Sequence, residues 1–255
     1  MDDFRSAFAT PFDNPLVPRF PIEMRNTEIL TVVYRTDPVA ARKLVPEPLA
    51  LLGDRVIVHI YHMHDSDWFG DYHESAVQIP VSLPGSALVG AYSPYLYLGS
   101  AGAVAVGREV YGQPKKDGSP RLELRDDLLV GTVARNGIDV ITATMAYKQQ
   151  RGDLAALMSY GDFRTNINLK LVPHVDGSPA IRQLTARVLQ DVRVHECWRG
   201  PATVELRPNA QAPVYRLPVL EVLEGFHWRV SFVLPFGEVV HDYLANPAGA
   251  DHART

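Results

Sequence analysis

The sequence predicts a mainly β protein of the α+β class, in which an antiparallel sheet is closed or folded on itself and helices are few and short. Two observations support this prediction. Most apolar segments are short and rich in β-branched and aromatic residues, as strands are. Turn signals separate them about every 8–15 residues, a spacing typical of all-β sandwiches and barrels. At 255 residues, we expect one domain over 1–255, since β-rich single domains often reach roughly 200–250 residues.

The first elements are an arm and a helix. Residues 1–22 are rich in proline and lack periodicity, so we expect an N-terminal arm laid over the body of the domain or over a neighbouring subunit. Further on, Asp37 is a suitable N-cap and Pro38 suits the first helical position. A helix is therefore predicted over 37–45. Pro46 ends it, because a proline disfavours helical geometry in the residue before it.

Most of the remaining chain predicts strands, separated by turns such as Asn136-Gly137. The predicted strands cover 28–35, 55–64, 73–83, 128–134, 139–147, 164–171, 188–198, 203–206 and 227–234. Two further short helices are predicted at 153–159 and 238–244. Helical segments this few and short cannot cover a sheet by themselves, which again favours a sheet that packs on itself.

Composition excludes several classes of function. The formal net charge is −4, so no basic field invites nucleic acid. No apolar run is long and smooth enough to span a membrane, and the acidic N-terminus lacks the apolar region of a secretory signal. Cys197 is the only cysteine, so no intrachain disulfide is possible. We therefore expect a cytoplasmic protein with no nucleic-acid and no membrane partner.

Two adjacent lysines are the most informative chemical feature. The chain has only five lysines against twenty arginines, yet Lys115 and Lys116 stand side by side. A neutral amine attacks a ketone to form an imine, and a guanidinium does not. Burial and a neighbouring ammonium both favour the neutral form of an amine. The pair therefore indicates a nucleophilic amine, although Pro-Lys-Lys-Asp-Gly also suits an ordinary basic surface turn.

The residues around the lysines resemble a known family. The segment 107–116 contains Gly-Arg-Glu, a short spacer and Pro-Lys-Lys, as does the active-site segment of acetoacetate decarboxylases. Shorter matches follow one another along nearly the whole chain. They include Tyr34-Arg35-Thr36-Asp37, Val45-Pro46-Glu47-Pro48-Leu49, Met63-His64-Asp65, Thr142-Ala143-Thr144-Met145, Asp176-Gly177-Ser178-Pro179 and His195-Glu196.

This resemblance implies a fold, a reaction and a site. The sheet would wrap into a closed cone or barrel with its pocket inside. Lys115 would form the imine, and Lys116 would keep it neutral by its charge or by anchoring the turn. Glu74 would line the pocket and donate a proton to the enamine carbon. No metal or organic cofactor is expected, because the imine itself accepts the electrons. We also expect a homo-oligomer.

The chain departs from the family at two pocket positions. Decarboxylases of the family carry an arginine where this chain has Thr27 and a glutamate where it has His59. Loss of both members of a charged pair is what a coupled replacement would produce. Arg25 lies two positions before Thr27, hence on the same face of a regular strand. We therefore expect Arg25, Thr27 and His59 to contact the substrate, with Arg25 supplying the missing positive charge.

Clustered histidines raise the question of a metal site. His62 and His64 share one strand face, and His73 is near in sequence. Imidazoles two positions apart on a strand do bind metals in cupin barrels. A cupin usually has a glutamate four or five positions after the second histidine, and here those positions hold Trp68 and Phe69. We therefore expect no metal.

Three functions remain open from the sequence. The first is a Schiff-base lyase that decarboxylates a small β-keto acid, acetoacetate giving acetone and carbon dioxide. The second keeps the same lysine for aldol condensation with dehydration, or for cyclisation, of 2-oxo acids such as pyruvate. The third is a barrel that binds a small acid without turnover. Carbon dioxide release would mark the first, and an aldehyde-dependent conjugated product would mark the second.

Overall fold

The structure, a computed structural model, describes residues 4–245. Its strands are β1 (Ile22–Arg35), β2 (Ala50–Leu51), β3 (Arg55–Met63), β4 (Asp65–Ser66), β5 (Tyr72–Ser82), β6 (Val89–Leu98), β7 (Lys115–Asp117), β8 (Ser119–Arg125), β9 (Leu128–Arg135), β10 (Ile138–Ala146), β11 (Gln150–Arg151), β12 (Thr165–Pro173), β13 (Pro179–Val188), β14 (Gln190–Gly200), β15 (Ala202–Leu206), β16 (Glu221–Leu234) and β17 (Glu238–Asp242). The helices are α1 (Pro38–Arg42), α2 (Ala101–Val106) and α3 (Leu154–Met158). Short 3-10 turns lie at Phe4–Ser6 and Val214–Arg216, and a π-helical turn lies at Gly107–Tyr111.

Two sheets are formed within residues 4–245. The large sheet has thirteen strands, and its main path runs β11-β14-β16-β1-β3-β5-β6-β12-β13-β17, while β2, β4 and β7 pair at its side. The small sheet has four strands in the order β15-β10-β9-β8. Most pairs are antiparallel, but β6 pairs in parallel with both β7 and β12. The mainly β prediction with few short helices is confirmed.

The prediction of a closed cone or barrel is wrong. Within the described residues, the path of the large sheet ends at β11 on one side and β17 on the other, so the sheet is open. The small sheet packs on one face of it. A side chain at Gly131 of β9 would overlap the Ile60 side chain on β3, so the backbones approach closely there. Because the large sheet has a second sheet to cover this face, it does not need to close on itself to bury it.

Alternation along β3 explains how the two faces of the large sheet differ. Val58 and Ile60 point into the core shared with the small sheet. His59, Tyr61 and Met63 point to the opposite face, where they line a cavity. This period of two is the ordinary consequence of strand geometry. The cavity therefore lies on the face of the large sheet that is turned away from the small sheet.

Most predicted elements are confirmed, and one is wrong. Helix α1 begins as expected, with the Asp37 carboxylate accepting a hydrogen bond from the backbone N–H of Val39 at 2.8 Å. Helix α3 also lies where the sequence predicts it. The predicted helix at 238–244 is instead strand β17, which pairs with the edge strand β13. An open edge offers this segment a ladder of hydrogen bonds, and pairing outweighs a weak local helical preference.

The N-terminal segment lies across the body of the protein. Residues 1–3 of the expected arm lie outside the described residues, and the part from residue 4 contacts the region around the cavity wall. The Phe20 ring meets the Tyr111 ring edge to face at a centroid distance of 5.4 Å and lies 4.7 Å from the Phe236 ring. Val17 is buried in the core beneath the cavity. Among residues 4–245, no helix is both long and apolar enough to cross a membrane.

Candidate active site

The two adjacent lysines point to opposite sides of strand β7. In the parallel pairing with β6, Lys115 lies beside Leu96 and Lys116 lies beside Tyr97. Lys115 is 6% exposed and lines the cavity, whereas Lys116 is exposed and donates a hydrogen bond to the Gln211 carbonyl at 3.1 Å. Of the two roles expected for Lys116, this position suits an anchor of the turn rather than a charge beside the Lys115 amine, because neighbours on a strand face opposite ways.

A tight turn delivers Lys115 to this position. The π-helical turn Gly107–Tyr111 follows α2 directly and ends at Gly112, whose φ of 75° is in the left-handed region that favours glycine. The backbone N–H of Gln113 then bonds back to the Gly107 carbonyl at 2.8 Å. Arg108 donates to the Lys115 carbonyl at 3.2 Å. These contacts fix the backbone at the lysine before its side chain enters the cavity.

Glu74 is the partner of the Lys115 amine. Its carboxylate Oε2 accepts a hydrogen bond from Lys115 Nζ at 3.0 Å. Both side chains are buried, with 8% and 7% of their area exposed. Glu74 lies on β5 and pairs with Leu98 of β6, so it reaches Lys115 across one intervening strand. The structure thus brings together two of the residues that the sequence predicts for the site.

The cavity around this pair has a volume of about 90 Å³. Its walls are largely apolar and aromatic, and its polar groups are few, as is usual in small-molecule sites. The apolar walls include Ile29, Met63, Tyr72, Val106, Phe163, Trp228, Val230 and Phe232. The polar and charged lining includes His59, Glu74, Gln78, Gln113, Lys115, Arg164, Asn166 and Arg187. The arrangement can hold a short ketone against the Lys115 amine in apolar surroundings.

A hydrogen-bonded network supports one polar wall of the cavity. The Gln113 side-chain amide donates to Asn166 Oδ1 at 3.0 Å, and the Asn168 side-chain amide donates to the same oxygen at 2.9 Å. Asn166 in turn donates to the Ser93 hydroxyl at 2.8 Å, and Gln78 donates to that hydroxyl at 3.2 Å. Because these buried amides bond to one another, they hold their orientation without solvent.

Arg187 is a cavity residue that the sequence analysis missed. It lies on β13, where it pairs with Asn166 of β12, and its guanidinium carbon lies 5.3 Å from the centre of the Tyr111 ring. Its Nε atom is shielded from solvent and has no hydrogen-bond partner within residues 4–245. Burial lowers the pKa of Arg187, against smaller opposing effects of Tyr111, Tyr61 and Glu74. Nothing local distinguishes it from the other arginines in the sequence.

Arg25 lies outside the cavity, so the expectation that it would bind substrate is wrong. Its guanidinium bonds to Glu23 at 2.7 Å, to Asp67 at 2.8 Å and to Asp65 at 3.4 Å, in a surface cluster with 39% of the arginine side chain exposed. Asp67 and Glu23 raise the pKa of Arg25. The register of β1 shifts between Met24 and Thr27, so the alternation that would align Arg25 with Thr27 is broken.

Thr27 and His59 are both buried, but only His59 lines the cavity. The Thr27 hydroxyl contacts the sulfur of Met63 at 3.4 Å and so lies behind a wall residue. His59 Nδ1 bonds to the Thr31 hydroxyl at 2.8 Å, while its Nε2 has no partner among the residues that the structure describes. Burial lowers the pKa of His59 to about 3, against a smaller opposing effect of Gln78. His59 therefore presents a neutral imidazole to the cavity.

The histidines considered for a metal lie on the other face of the sheet. Ligand atoms of Glu28, His62 and His64 lie within 4.8 Å of one another, and so do those of His62, Asp71 and His73. These sets have the composition of a metal site, yet their carboxylates already bond to histidines, as in the 2.9 Å contact between His62 and Asp71. The cavity itself carries a lysine and an arginine, which repel cations, so the expectation of no metal there stays a prediction.

Comparison with known proteins identifies the family. The family model for acetoacetate decarboxylase (ADC) matches residues 8–244. The chain belongs to the acetoacetate decarboxylase family. An acetoacetate decarboxylase of Bordetella avium is 44% identical over 240 residues, which cover 94% of this chain and 96% of that protein. One of Paraburkholderia xenovorans is 44% identical over 242 residues, which cover 95% of each.

Solved structures of acetoacetate decarboxylases have the same fold. One superimposes with a TM-score of 0.89 at 40% identity, covering 94% of this chain and 98% of the other. The acetoacetate decarboxylase of Legionella pneumophila superimposes with a TM-score of 0.85 at 33% identity, covering 93% and 94%. The resemblance seen in the sequence is thus confirmed at the level of the acetoacetate decarboxylase family and its fold.

Proposed function

We propose that this protein is a Schiff-base carbon–carbon lyase that decarboxylates a small β-keto acid, acetoacetate giving acetone and carbon dioxide. The observation that carries the proposal is the buried hydrogen bond between Lys115 Nζ and Glu74 Oε2 at 3.0 Å. Membership of the acetoacetate decarboxylase family and relatives of that name at 44% identity support it.

The hydrogen bond between Lys115 and Glu74 also provides a way to form the nucleophilic amine. Transfer of one proton from Lys115 Nζ to Glu74 Oε2 leaves a neutral amine and a carboxylic acid. Both groups are buried and in direct contact, so the proton can pass between them without solvent. The transfer prepares the base for attack and the acid for later proton donation.

The reaction then proceeds through an imine on Lys115. The amine adds to the keto group, one proton is taken up from solvent as water leaves, and a protonated imine forms. The carbon–carbon bond to the carboxylate breaks, carbon dioxide departs, and its electron pair moves through the enamine to neutralise the imine nitrogen. The Glu74 carboxylic acid protonates the enamine carbon. Water then hydrolyses the imine, which releases the ketone and returns the amine.

Trapping of the imine is the direct test. Borohydride added with acetoacetate is expected to increase the mass of the peptide that carries Lys115 and to abolish activity. Lys115→Met should lose both trapping and carbon dioxide release. Lys148→Met is the matched control, because Lys148 is a partly buried lysine that bonds to Glu196 away from the cavity, and its loss should change neither. A chelator should leave turnover unchanged. Labelling at Lys116, or none anywhere, would contradict the proposal.

The same assay separates the other reactions of this chemistry. Pyruvate supplied with an aldehyde should give no conjugated product, whereas acetoacetate should release carbon dioxide. An absorbing product that needs both pyruvate and aldehyde would instead indicate aldol condensation with dehydration. Tight binding of acetoacetate without either outcome would indicate a barrel that binds but does not turn over.

The oligomeric state and the cellular location of the protein also belong to this proposal. We propose a homo-oligomer, since apolar side chains remain exposed on the N-terminal arm and near it, among them Phe12, Leu16 and Phe236. Light scattering after size exclusion should give a mass well above 28.3 kDa. We also propose a cytoplasmic location, where the buried thiol of Cys197 stays reduced.

A further inference from the structure

The charges of the cavity do not cancel within the described residues. Lys115 is paired with Glu74, and Arg164 bonds to Asp162 at 3.1 Å. His59 is neutral. Arg187 alone among the charged lining residues of the described chain has neither an ion pair nor a hydrogen bond, and its Nε is fully shielded from solvent. The cavity therefore carries one uncompensated positive charge.

The Nε of Arg187 is shielded from solvent and has no hydrogen-bond partner among the described residues, while the residue as a whole is partly buried. A shielded donor without a partner destabilises the fold, so the protein must gain something by keeping it. The surroundings hold the group without satisfying it, since the Tyr111 ring lies beneath it at 5.3 Å and the backbone of β13 is fixed against β12. A guanidinium that is positioned and left unbonded in a cavity is prepared for an acceptor from outside the chain.

We propose that Arg187 binds the carboxylate of the substrate and so places the keto group at Lys115. This inference rests on the proposed function and extends it to the substrate class. One uncompensated positive charge matches one carboxylate, and the planar fork of arginine suits carboxylate oxygens. The preferred substrates are therefore 3-oxo acids with a single carboxylate. A dicarboxylic 3-oxo acid would bring a second negative charge that nothing described in the cavity compensates.

The contact has a kinetic signature. The carboxylate that Arg187 holds is the group that leaves, and its charge moves into the enamine as the bond breaks. The contact is strongest in the bound substrate and weakens in the transition state, so it contributes to binding more than to the chemical step. Loss of Arg187 should raise KM about tenfold or more and lower kcat much less. Arg187→Lys keeps the charge, loses the fork and should give an intermediate KM.

The test uses two probes that separate Arg187 from Lys115. Calorimetry with 3-hydroxybutyrate, which has the carboxylate but no ketone, reports only on the arginine. Borohydride trapping with acetone, which has a ketone but no carboxylate, reports only on the lysine. Arg187→Met should lose the first and keep the second. Arg25→Ala is the matched control, because Arg25 lies in a surface cluster, and it should keep both.

The outcomes are distinct. The inference is overturned if Arg187→Met binds 3-hydroxybutyrate as tightly as the wild-type protein does. It is also overturned if the wild-type protein binds the dicarboxylate 3-hydroxyglutarate as tightly as 3-hydroxybutyrate. If borohydride traps no adduct on the wild-type protein, the proposed function is overturned. The carboxylate site is then judged by calorimetry alone. The melting temperature supplies a further check. Removal of an unpaired buried charge should maintain or raise it, whereas a merely structural arginine would lower it when replaced.

Discussion

Gly107 leaves no room for a side chain because the Lys115 side chain passes directly over it. A Cβ at residue 107 would lie 2.7 Å from Lys115 Cε and 2.8 Å from Gln113 Oε1, closer than carbon atoms approach in real structures. The glycine stands at the junction of α2 and the π-helical turn, in ordinary helical geometry. It is therefore required for space rather than for backbone conformation.

Gly107→Ala should displace the lysine and lower turnover about 100-fold, since a shift of roughly 1 Å in a reacting group has effects of that size. The matched control is Gly99→Ala, where a new Cβ would meet only the Gly118 carbonyl at 3.5 Å. Steady-state kinetics and the melting temperature of both variants give the answer. Full activity in Gly107→Ala would mean that the lysine does not enter the cavity along this path.

Glu74→Gln should slow imine formation, because the Lys115 amine loses its proton acceptor, and should slow turnover still more. The amide still occupies the position 3.0 Å from the amine, but it has no acidic proton for the enamine carbon after carbon dioxide leaves. Rapid trapping by borohydride, compared with the rate of carbon dioxide release, separates the two steps. Equal losses in both would assign Glu74 to placing Lys115 instead of to proton donation.

Lys116→Met should retain imine formation and most of the turnover. Lys116 is exposed, and within residues 4–245 its amine bonds to the Gln211 carbonyl alone, so its loss weakens an anchor of β7 without changing the cavity. A slightly lower melting temperature is expected. Lys115→Arg should lose all activity, because a guanidinium forms no imine. If Lys116→Met abolished trapping while remaining folded, its charge would have a catalytic role that its position does not suggest.

His59 should make the protein less stable in mild acid. Its pKa is about 3 in the folded protein and about 6.5 in the unfolded chain, so between these values only the unfolded chain is protonated. The stabilisation is complete above about pH 6.5. It falls by about 1.4 kcal/mol for each pH unit as the pH drops towards 3. Urea unfolding at about pH 7 and about pH 5.5 should show this slope in wild type and a shallower one in His59→Gln. Parallel slopes would show that His59 becomes protonated in the fold.

Thr27 and His59 should be coupled through the cavity wall. Thr27→Arg alone buries an unpaired charge behind Met63, and His59→Glu alone buries one in the wall, so each should be destabilising. The double variant pairs the two new charges. Its acetoacetate turnover and its melting temperature should both be higher than the two single variants predict by addition. The expected coupling free energy is about 0.5–3 kcal/mol. Simple additivity would end the idea that the two positions changed together.

The sequence predicted the lysine and its acid but not the residue proposed to bind the carboxylate. Lys115 stands in a local motif, whereas Glu74 was expected only from the family resemblance; alternation along a strand decides which way each points. Arg187 lies on β13, a strand that the sequence analysis did not predict, and only the long-range pairing with β12 brings it to the cavity. Arg25 was misplaced because a register shift in β1 broke a regular alternation. Bulges and distant pairings have no signature in a single sequence.

The opposed lysines of β7 have a consequence for chemical labelling of the protein. The two side chains are identical and one residue apart, yet Lys115 is 6% exposed and Lys116 lies on the outer surface. An amine reagent too bulky to enter the cavity should therefore modify Lys116 and spare Lys115. A small ketone that enters the cavity should do the reverse, so the size of the reagent selects between two adjacent amines.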